Sequence, residues 1–150
     1  MKFLNKKSSI KNIKLGKNVT IVEPVNLYNC ELGDNCFIGP FVEIQSNVKI
    51  GANTRVQSHS FICSNVKIGK NCFIGHGVMF TNDKFLNKKI IKSKKKFLKT
   101  FIEDNVLIGS NSTILPKKIG KKTVIGAGSV VTKNCLKNKI YFGNPAKIKK

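Results

Sequence analysis

The sequence predicts an all-β solenoid, on three observations. A large apolar residue recurs at every sixth position, glycine often follows it, and a small or β-branched residue commonly stands four places after it. A period of six fits neither an amphipathic helix nor a long strand with alternating side chains. Short strands joined by tight turns do fit, with the apolar anchors pointing inward and glycine at the corners. Each unit is too short to bury its own face, so the units must stack into coils.

The anchors keep nearly constant phase, with single five-residue steps before Leu32 and before Ile119. Three units make a coil of eighteen residues if the cross-section is triangular, which gives about six coils from eighteen anchors. The anchors are Leu15, Ile21, Leu27, Leu32, Ile38, Ile44, Ile50, Val56, Ile62, Ile68, Ile74, Phe80, Ile102, Ile108, Ile114, Ile119, Ile125 and Val131.

The repeat organises residues 1–150 as a single β-helix domain. We expect residues 1–14 to form an N-terminal cap, residues 15–83 and 102–135 to form the coils, and residues 136–150 to form a C-terminal tail. Residues 84–101 interrupt the repeat as one long loop excursion that combines a lysine run with apolar residues. The excursion is either a solvated loop or a segment that docks on a neighbouring subunit. Long loops in compact repeats are commonly functional, so we expect a site beside it.

The chain is strongly basic, with 28 Lys and Arg against 7 Asp and Glu and a formal net charge of +21. Arg55 is the only arginine. Arginine dominates base reading and bidentate phosphate recognition, so this composition argues against specific binding to nucleic acid. A basic surface still suits small polyanionic substrates.

The five cysteines form no C-x-x-C pair, and no secretory signal or transmembrane run is recognisable. Cys36 and Cys72 fall at the small inward position of their units. The sequence therefore predicts buried free thiols in a reducing compartment, a cytoplasmic location and no membrane insertion.

The eighteen-residue coil predicts which polar residues are neighbours. Ser58 and His76 are eighteen apart, and so are Ser64 and Asn82, so each pair should stack on successive coils. His59 lies beside Ser58, and Asp83 follows Asn82 at the start of the excursion. A single polar residue at a solenoid turn commonly just faces solvent. The convergence of both histidines of the chain with an Asn-Asp pair indicates a site.

The hexad resembles the [LIV]-G-x-x-[STAV]-x signature of the hexapeptide acyltransferases, and the resemblance covers residues 15–135. Their fold is a single-stranded left-handed parallel β-helix, so the resemblance implies that winding. Residues 26–45 (NLYNCELGDNCFIGPFVEIQ), 56–69 (VQSHSFICSNVKIG) and 73–83 (FIGHGVMFTND) resemble the nucleotide-sugar N-acetyltransferases. Within that family, the segments resemble the enzymes that act on dTDP-3-amino-3,6-dideoxyhexoses.

This resemblance implies acetyl transfer from acetyl-CoA, without a metal, to an amino group of a dTDP- or UDP-linked deoxy sugar, for surface polysaccharide or glycan biosynthesis. It also implies a homotrimer whose active sites lie in clefts between two β-helices. The segments VIGAGSVVTKN and YFGNPAKI resemble the last coil and tail that hold CoA in this family. The positions that match are Gly109, Ser110, Ala127, Gly128, Lys133, Asn144, Pro145, Ala146 and Lys147.

Amide formation requires an unprotonated amine, close approach to the thioester and a route for the proton. We expect Asn82 and Asp83 to position the amine and His59 or His76 to relay its proton, with His59 slightly favoured. Alternatively, no side chain acts as base and the proton passes to the CoA sulfur, as is proposed for some relatives.

Gln57, Ser58 and Ser64 are the predicted substrate-binding residues. Ser64 stands in FICSN where many relatives carry glutamate in FICEG. Lys94, Lys95 and Lys96 are candidates for contact with a diphosphate.

Three other functions compete with this one. The first is another hexapeptide O- or N-acetyltransferase with a small acceptor. The second is a non-catalytic β-helix protein that binds anionic polymers. A γ-type carbonic anhydrase, which shares the β-helix, needs three histidines around zinc, and this chain has two.

Overall fold

The structure, a computed structural model, describes residues 10–85, 88 and 97–149. All the regular elements in these ranges are β-strands of two or three residues. In chain order they are β1 (Ile10–Lys11), β2 (Lys14–Leu15), β3 (Thr20–Ile21), β4 (Asn26–Tyr28), β5 (Glu31–Leu32), β6 (Phe37–Ile38), β7 (Glu43–Ile44), β8 (Lys49–Ile50), β9 (Arg55–Val56), β10 (Phe61–Ile62), β11 (Val66–Ile68), β12 (Phe73–Ile74), β13 (Met79–Phe80), β14 (Thr100–Ile102), β15 (Leu107–Ile108), β16 (Thr113–Ile114), β17 (Lys118–Ile119), β18 (Val124–Ile125), β19 (Val130–Val131), β20 (Ile140–Phe142) and β21 (Lys147–Ile148).

The strands form three sheets that enclose one central core. Sheet A runs β1-β4-β7-β10-β13-β16-β19, sheet B runs β2-β5-β8-β11-β14-β17, and sheet C runs β3-β6-β9-β12-β15-β18-β20-β21. The named pairings are parallel except the one between β20 and β21. The chain therefore visits the three sheets in turn and advances one coil per circuit, as a left-handed parallel β-helix.

The helix has about seven turns, one more than the anchors suggest. The ladder already begins at Ile10, which pairs with Leu27, because the first coil starts before the first strong anchor. At the other end, Ile140 pairs with Val124, so part of the tail extends sheet C.

The register follows the spacing of the repeat. Phe61 pairs with Met79, eighteen residues on. The excursion lengthens this interval, so that Asp104 contacts Lys70 across 34 residues. Thr113 pairs with Val130 across the late five-residue step. An extra or missing residue at a corner is thus absorbed without breaking the ladder.

The core is a column of apolar anchors with a smaller polar layer beside it. Ile38, Ile62 and Ile74 are fully buried. Ser60 is also buried, and its hydroxyl donates to the Gly75 carbonyl at 2.8 Å and accepts from the Val78 amide at 3.3 Å. Small hydroxyl residues at the inward position thus satisfy buried backbone groups at the corners, as buried polar groups require.

Asparagine occupies most of the corner positions that adopt the left-handed backbone conformation. Its side chain tolerates positive φ better than most residues and hydrogen-bonds to its neighbours. The side-chain amide of Asn35 donates to Asn53 Oδ1 at 3.1 Å, which links the side chains of one coil to those of the next. The asparagines at positive φ are Asn12, Asn18, Asn29, Asn35, Asn47, Asn53, Asn65, Asn71, Asn105, Asn111 and Asn138.

Candidate active site

The corner between sheets C and A, which we call the C–A corner, carries both histidines. In the two coils before the excursion it comprises residues 57–60 and 75–78. Ser58 Oγ lies 2.8 Å from His76 Nδ1, as the eighteen-residue spacing predicts. In the next coil, Ser110 Oγ accepts a hydrogen bond from the His76 backbone amide at 3.2 Å. Ser58, His76 and Ser110 therefore form a polar ladder along the helix axis.

The Ser58 contact leaves the other ring nitrogen of His76 available. The ring is exposed, and among the described residues Nε2 has no hydrogen-bond partner. When Ser58 Oγ accepts the Nδ1 proton, the lone pair of Nε2 is free to take a proton from an acceptor group. The geometry thus suits His76 to general-base chemistry.

His59 has a different environment, since its ring stacks on that of Phe41. The ring centroids are 4.8 Å apart and the ring planes differ by 27°. The His59 amide donates to the Pro40 carbonyl at 3.1 Å. Both rings are exposed at the corner, with Phe41 58% exposed. The pair forms an aromatic platform across the two coils that precede the coil of His76.

Four of the five left-handed positions of the C–A corner depart from the asparagine pattern that prevails at the other corners. Successive coils carry Phe41, His59, Gly77, Asn111 and Gly128, with φ of 59°, 62°, 64°, 57° and 68°. A bulky residue in this region costs roughly 1–3 kcal/mol. Two aromatic residues thus take this conformation in successive coils at the corner that also carries His76, which marks the corner as a candidate site.

The corner between sheets A and B, the A–B corner, carries the second predicted cluster. The side-chain amide of Asn82 donates to the Ser64 backbone carbonyl at 3.4 Å, so this pair also stacks as predicted. Ser64 is buried, and its amide and hydroxyl both lie 3.3 Å from Gln45 Oε1. Gln45 in turn donates to Glu43 Oε1 at 2.9 Å. Ser64 is thus held inside a hydrogen-bonded chain that ends in the carboxylate of Glu43.

The sequence gives no direct signal for Glu43 and Gln45 as members of this cluster. Gln45 contacts Ser64 across nineteen residues, one more than the coil repeat. Burial, assisted by the charge of Glu43, raises the pKa of Tyr28 on the same strand ladder. Asp83 makes a local contact, in which its Oδ1 accepts from the Phe85 amide at 2.8 Å.

Within one chain the two clusters remain apart. Sheet A separates the C–A corner from the A–B corner, and strand β13 lies between His76 and Asn82. Gln57 lies half-buried at the C–A corner, and its backbone amide donates to the Ile74 carbonyl at 2.9 Å.

Four of the nine positions expected to bind CoA lie on the C–A corner of the later coils. Gly109, Ser110, Ala127 and Gly128 continue the line that begins at His76. A Cβ at Gly109 would collide with the Ala127 backbone nitrogen, so the two coils approach closely there. The Gly128 amide donates to the Ser110 carbonyl at 2.8 Å.

The tail folds back beside the last coil. The Gly143 amide donates to Ser129 Oγ at 3.2 Å, and the Ala146 amide donates to the Val130 carbonyl at 2.8 Å. These contacts place the exposed residues Asn144, Pro145 and Lys147 near the late C–A corner. Lys133 lies away from them, exposed at the A–B corner after β19.

The thiols lie outside both clusters. All five cysteines are free and buried, as predicted. Burial raises the pKa of Cys63 to about 12 and that of Cys30 and Cys135 to about 11, so they are poor nucleophiles. In the described ranges no group of three His, Cys, Asp or Glu could hold a metal ion. No helix within those ranges is long and apolar enough to cross a membrane.

A separate groove of about 760 Å³ lies on the outer face of sheet B, away from the histidines. Lys14, Glu31, Lys49, Lys67 and Phe101 line it. Lys49 and Lys14 contact Glu31 at 2.8 and 3.7 Å. The predicted phosphate contacts Lys94, Lys95 and Lys96 lie outside the described residues.

Two models of known protein families match the six-residue repeat of this chain. A model of the bacterial transferase hexapeptide, six repeats, matches residues 29–64. A model of the hexapeptide repeat of succinyl-transferase matches residues 65–79 and 99–133. The chain belongs to the hexapeptide-repeat transferase family. Both matched regions contain residues of the predicted site, since Ser58 lies in the first and His76 in the second.

Individual relatives share either a segment or the fold. A galactoside O-acetyltransferase of Lactococcus lactis is 47% identical over 53 residues, which are 35% of this chain and 26% of that protein. The chain thus spans about a quarter of the length of this curated relative.

Two solved structures share the fold over almost the whole chain. The first is a mutant GDP-perosamine N-acetyl transferase from Caulobacter crescentus, in complex with CoA and GDP-perosamine. It has a TM-score of 0.69 and 19% identity, over 95% of this chain and 58% of its own. The second is a mutant N-acyltransferase from Bacillus cereus, in complex with dTDP and coenzyme A. It has a TM-score of 0.59 and 21% identity, and the match covers 94% of this chain and 84% of the Bacillus cereus chain.

Proposed function

We propose that this chain transfers an acetyl group from acetyl-CoA to the amino group of a nucleotide-linked deoxy sugar. One observation carries the proposal. A histidine with a free ring nitrogen stands on the same corner as the aromatic platform and the close-packed glycines of the later coils. An acceptor bound beside the histidine and a thioester bound along the later coils would therefore meet at His76.

In the proposed reaction the amine attacks the thioester carbonyl carbon, a C–N bond forms, and the C–S bond then breaks. Nε2 of His76 takes the amine proton and returns it to the departing CoA sulfur, so the products are an amide and free thiol. Ser58 holds Nδ1 and keeps the ring oriented. General-base catalysis of this kind contributes roughly 10²–10⁴-fold to a rate. Because His59 stacks on Phe41, we assign the proton relay to His76 and a binding role to His59.

The class of acceptor is supported by the motif FIGHGVMFTND and by the ligands of the two structural neighbours. One neighbour was solved with GDP-perosamine and the other with dTDP. The chain's large positive charge suits both a nucleotide diphosphate and CoA. A dTDP- or UDP-linked amino sugar made for surface glycan synthesis in the cytoplasm is the acceptor we propose.

We also propose a homotrimer, because the outer faces of the three sheets differ sharply. Sheet C presents Phe73, Leu107 and Ile140, which are 37%, 46% and 46% exposed. The outer residues of sheet A include Met79, which is 44% exposed. Sheet B instead presents mainly lysines, namely Lys14, Lys49, Lys67 and Lys118, together with Glu31 and the exposed Phe101. Large exposed apolar patches mark interaction sites, so sheets A and C suit contact with other copies, while sheet B suits solvent.

This assembly would also explain the two separate clusters. Sheets A and C meet at the C–A corner, so a second copy packed there could bring its own A–B corner toward His76. Asn82 and Asp83 of one copy would then position the amine for His76 of another. Sedimentation should give three chains per particle, and Leu107→Lys should lower that number. A wild-type monomer that transfers acetyl groups at full rate would contradict this assembly.

The segment shared with a galactoside O-acetyltransferase favours a second candidate, acetyl transfer to a sugar hydroxyl. CoA release measured with the purified chain and acetyl-CoA separates the two. The acceptor panel should pair dTDP- and UDP-linked amino sugars with the corresponding hydroxyl sugars and with free galactosides. We expect release with an amino sugar. Release only with hydroxyl sugars would replace the proposed function by the second candidate, and the absence of acetyl-CoA binding would leave a non-catalytic protein.

A further inference from the structure

The left-handed column of the C–A corner contains a gap. Phe41 and His59 contribute stacked rings in two successive coils, and the next coil contributes Gly77, which has no side chain. Coils are about 4.8 Å apart in a parallel ladder. The face of the His59 ring that Phe41 leaves free therefore points toward the level of Gly77, where Asn111 Oδ1 holds the inner part of the position and residue 77 contributes no side chain farther out.

The far side of this gap carries an open hydrogen-bond acceptor. Asn111 occupies the same corner position one coil beyond Gly77, and its Oδ1 points back into the space that a Cβ of residue 77 would occupy. In the asparagine ladders, this oxygen accepts a hydrogen bond from the side-chain amide of the asparagine in the preceding coil, as Asn53 Oδ1 accepts from Asn35. Gly77 offers no such amide, and among the described residues Asn111 Oδ1 has no other partner.

His76 borders the gap directly. It precedes Gly77 in the chain, and its ring contacts Ser58, which precedes His59. The Gly77 amide donates to the Ser58 carbonyl at 3.0 Å, which fixes the two coils against each other. A ligand in the gap would therefore lie between an aromatic face and an amide oxygen, beside the proposed base.

We infer that this gap, which we call the Gly77 notch, binds the pyranose ring of the acceptor sugar. The inference rests on the proposed function and names the position of its substrate. The C–H groups on one face of a pyranose are weakly positive, and they pack on the negative face of an aromatic ring such as that of His59. A sugar hydroxyl or amino group then donates to Asn111 Oδ1. The notch makes Gly77 and Asn111 specificity-determining residues and makes His59 a platform.

The sharpest test fills the notch with the residue type that best tolerates the left-handed conformation of Gly77. Gly77→Asn places at position 77 the residue type that other coils use at the same backbone conformation. The flexible end of Asn111 must turn aside, after which the two amides can form the ladder contact seen between Asn35 and Asn53. We expect resistance to urea to be unchanged or increased, and the KM for a dTDP-linked 3-amino-3,6-dideoxyhexose to rise at least tenfold. The KM for acetyl-CoA should stay within twofold.

Matched variants separate the notch from general effects on the corner. Lys122→Asn introduces asparagine at another left-handed corner position, with φ of 58°, and should leave both KM values unchanged. His59→Phe keeps an aromatic face and should raise the acceptor KM less than His59→Ala does. A loss of kcat in His59→Phe comparable with that in His76→Ala would overturn the platform role.

Direct titration of the same sugar nucleotide into wild type and Gly77→Asn completes the test. Binding to wild type that is weakened at least tenfold in Gly77→Asn supports the notch. Equal binding to both proteins, with wild-type turnover, overturns the notch and leaves the proposed function intact. If wild type neither binds nor acetylates any amino sugar of the panel, the proposed function fails and the notch assignment fails with it.

Discussion

Ser58 and Ser60 lie two residues apart on the C–A corner. Replacing the first by alanine should lower the reaction rate, whereas replacing the second should lower the stability of the fold. Ser58 is partly exposed and contacts His76 Nδ1 at 2.8 Å. Ser60 is buried and bonds only backbone groups, the Gly75 carbonyl and the Val78 amide. Ser58→Ala should therefore impair the reaction, and Ser60→Ala should impair the fold.

The expected magnitudes follow from the hydrogen bonds that are lost. A hydrogen bond contributes about 0.5–1.5 kcal/mol net, so loss of the contact that orients His76 should lower kcat by roughly 2- to 12-fold. Ser60→Ala leaves a buried amide and a buried carbonyl unpaired, which should lower the free energy of unfolding by about 1–3 kcal/mol. Ser58→Ala exposes no buried backbone group, so its stability should change by less than about 0.5 kcal/mol.

Steady-state CoA release at saturating acetyl-CoA and sugar nucleotide gives kcat, and urea unfolding gives stability. Ser58→Thr retains the hydroxyl and should recover most of the rate, which a purely structural role would not predict. If Ser58→Ala keeps full kcat, Ser58 does not orient a catalytic histidine, and the roles assigned to this corner are refuted.

Three further predictions concern the fold. Gly51→Ala should destabilise the protein by about 1–3 kcal/mol in urea, because a Cβ there would lie 2.6 Å from the Gly69 carbonyl carbon, and unchanged stability would contradict the close packing of coils. Ile62→Ala removes a fully buried anchor and should cost about 2–5 kcal/mol, measured in the same way. The raised thiol pKa values should make stability fall as pH rises above 9, since the unfolded chain then releases thiol protons that the folded chain retains until pH 11–12. Urea midpoints at pH 8 and 10 measure this loss, and Cys63→Ala should reduce it.

The apolar repeat predicts the architecture because one parallel ladder constrains all three sheets. Once the anchors are in phase, residues eighteen apart must be neighbours, and the contacts between Ser58 and His76 and between Asn82 and Ser64 follow. The number of turns is less predictable, because Ile10 joins the ladder from a coil whose anchors are not fully buried.

The composition of each cluster depends on features that the six-residue repeat does not contain. Ser64 reaches Gln45 across nineteen residues, since a long side chain at a corner can bypass its ladder neighbour. The stack of His59 on Phe41 depends on the left-handed conformation of both residues. The sequence does contain a second pattern that points to this stack, namely the asparagine that recurs at one position of most corners. Phe41, His59 and Gly77 all break that pattern on one corner.

The most direct test of the account compares CoA release by wild type and His76→Ala on a panel of dTDP- and UDP-linked amino sugars. We expect wild type to release CoA only when an amino sugar is present. His76→Ala should lower kcat at least 100-fold, while the affinity for acetyl-CoA stays within about twofold, as loss of a general base requires. A His76→Ala variant that retains near-wild-type kcat would contradict the assignment of this corner as the active site.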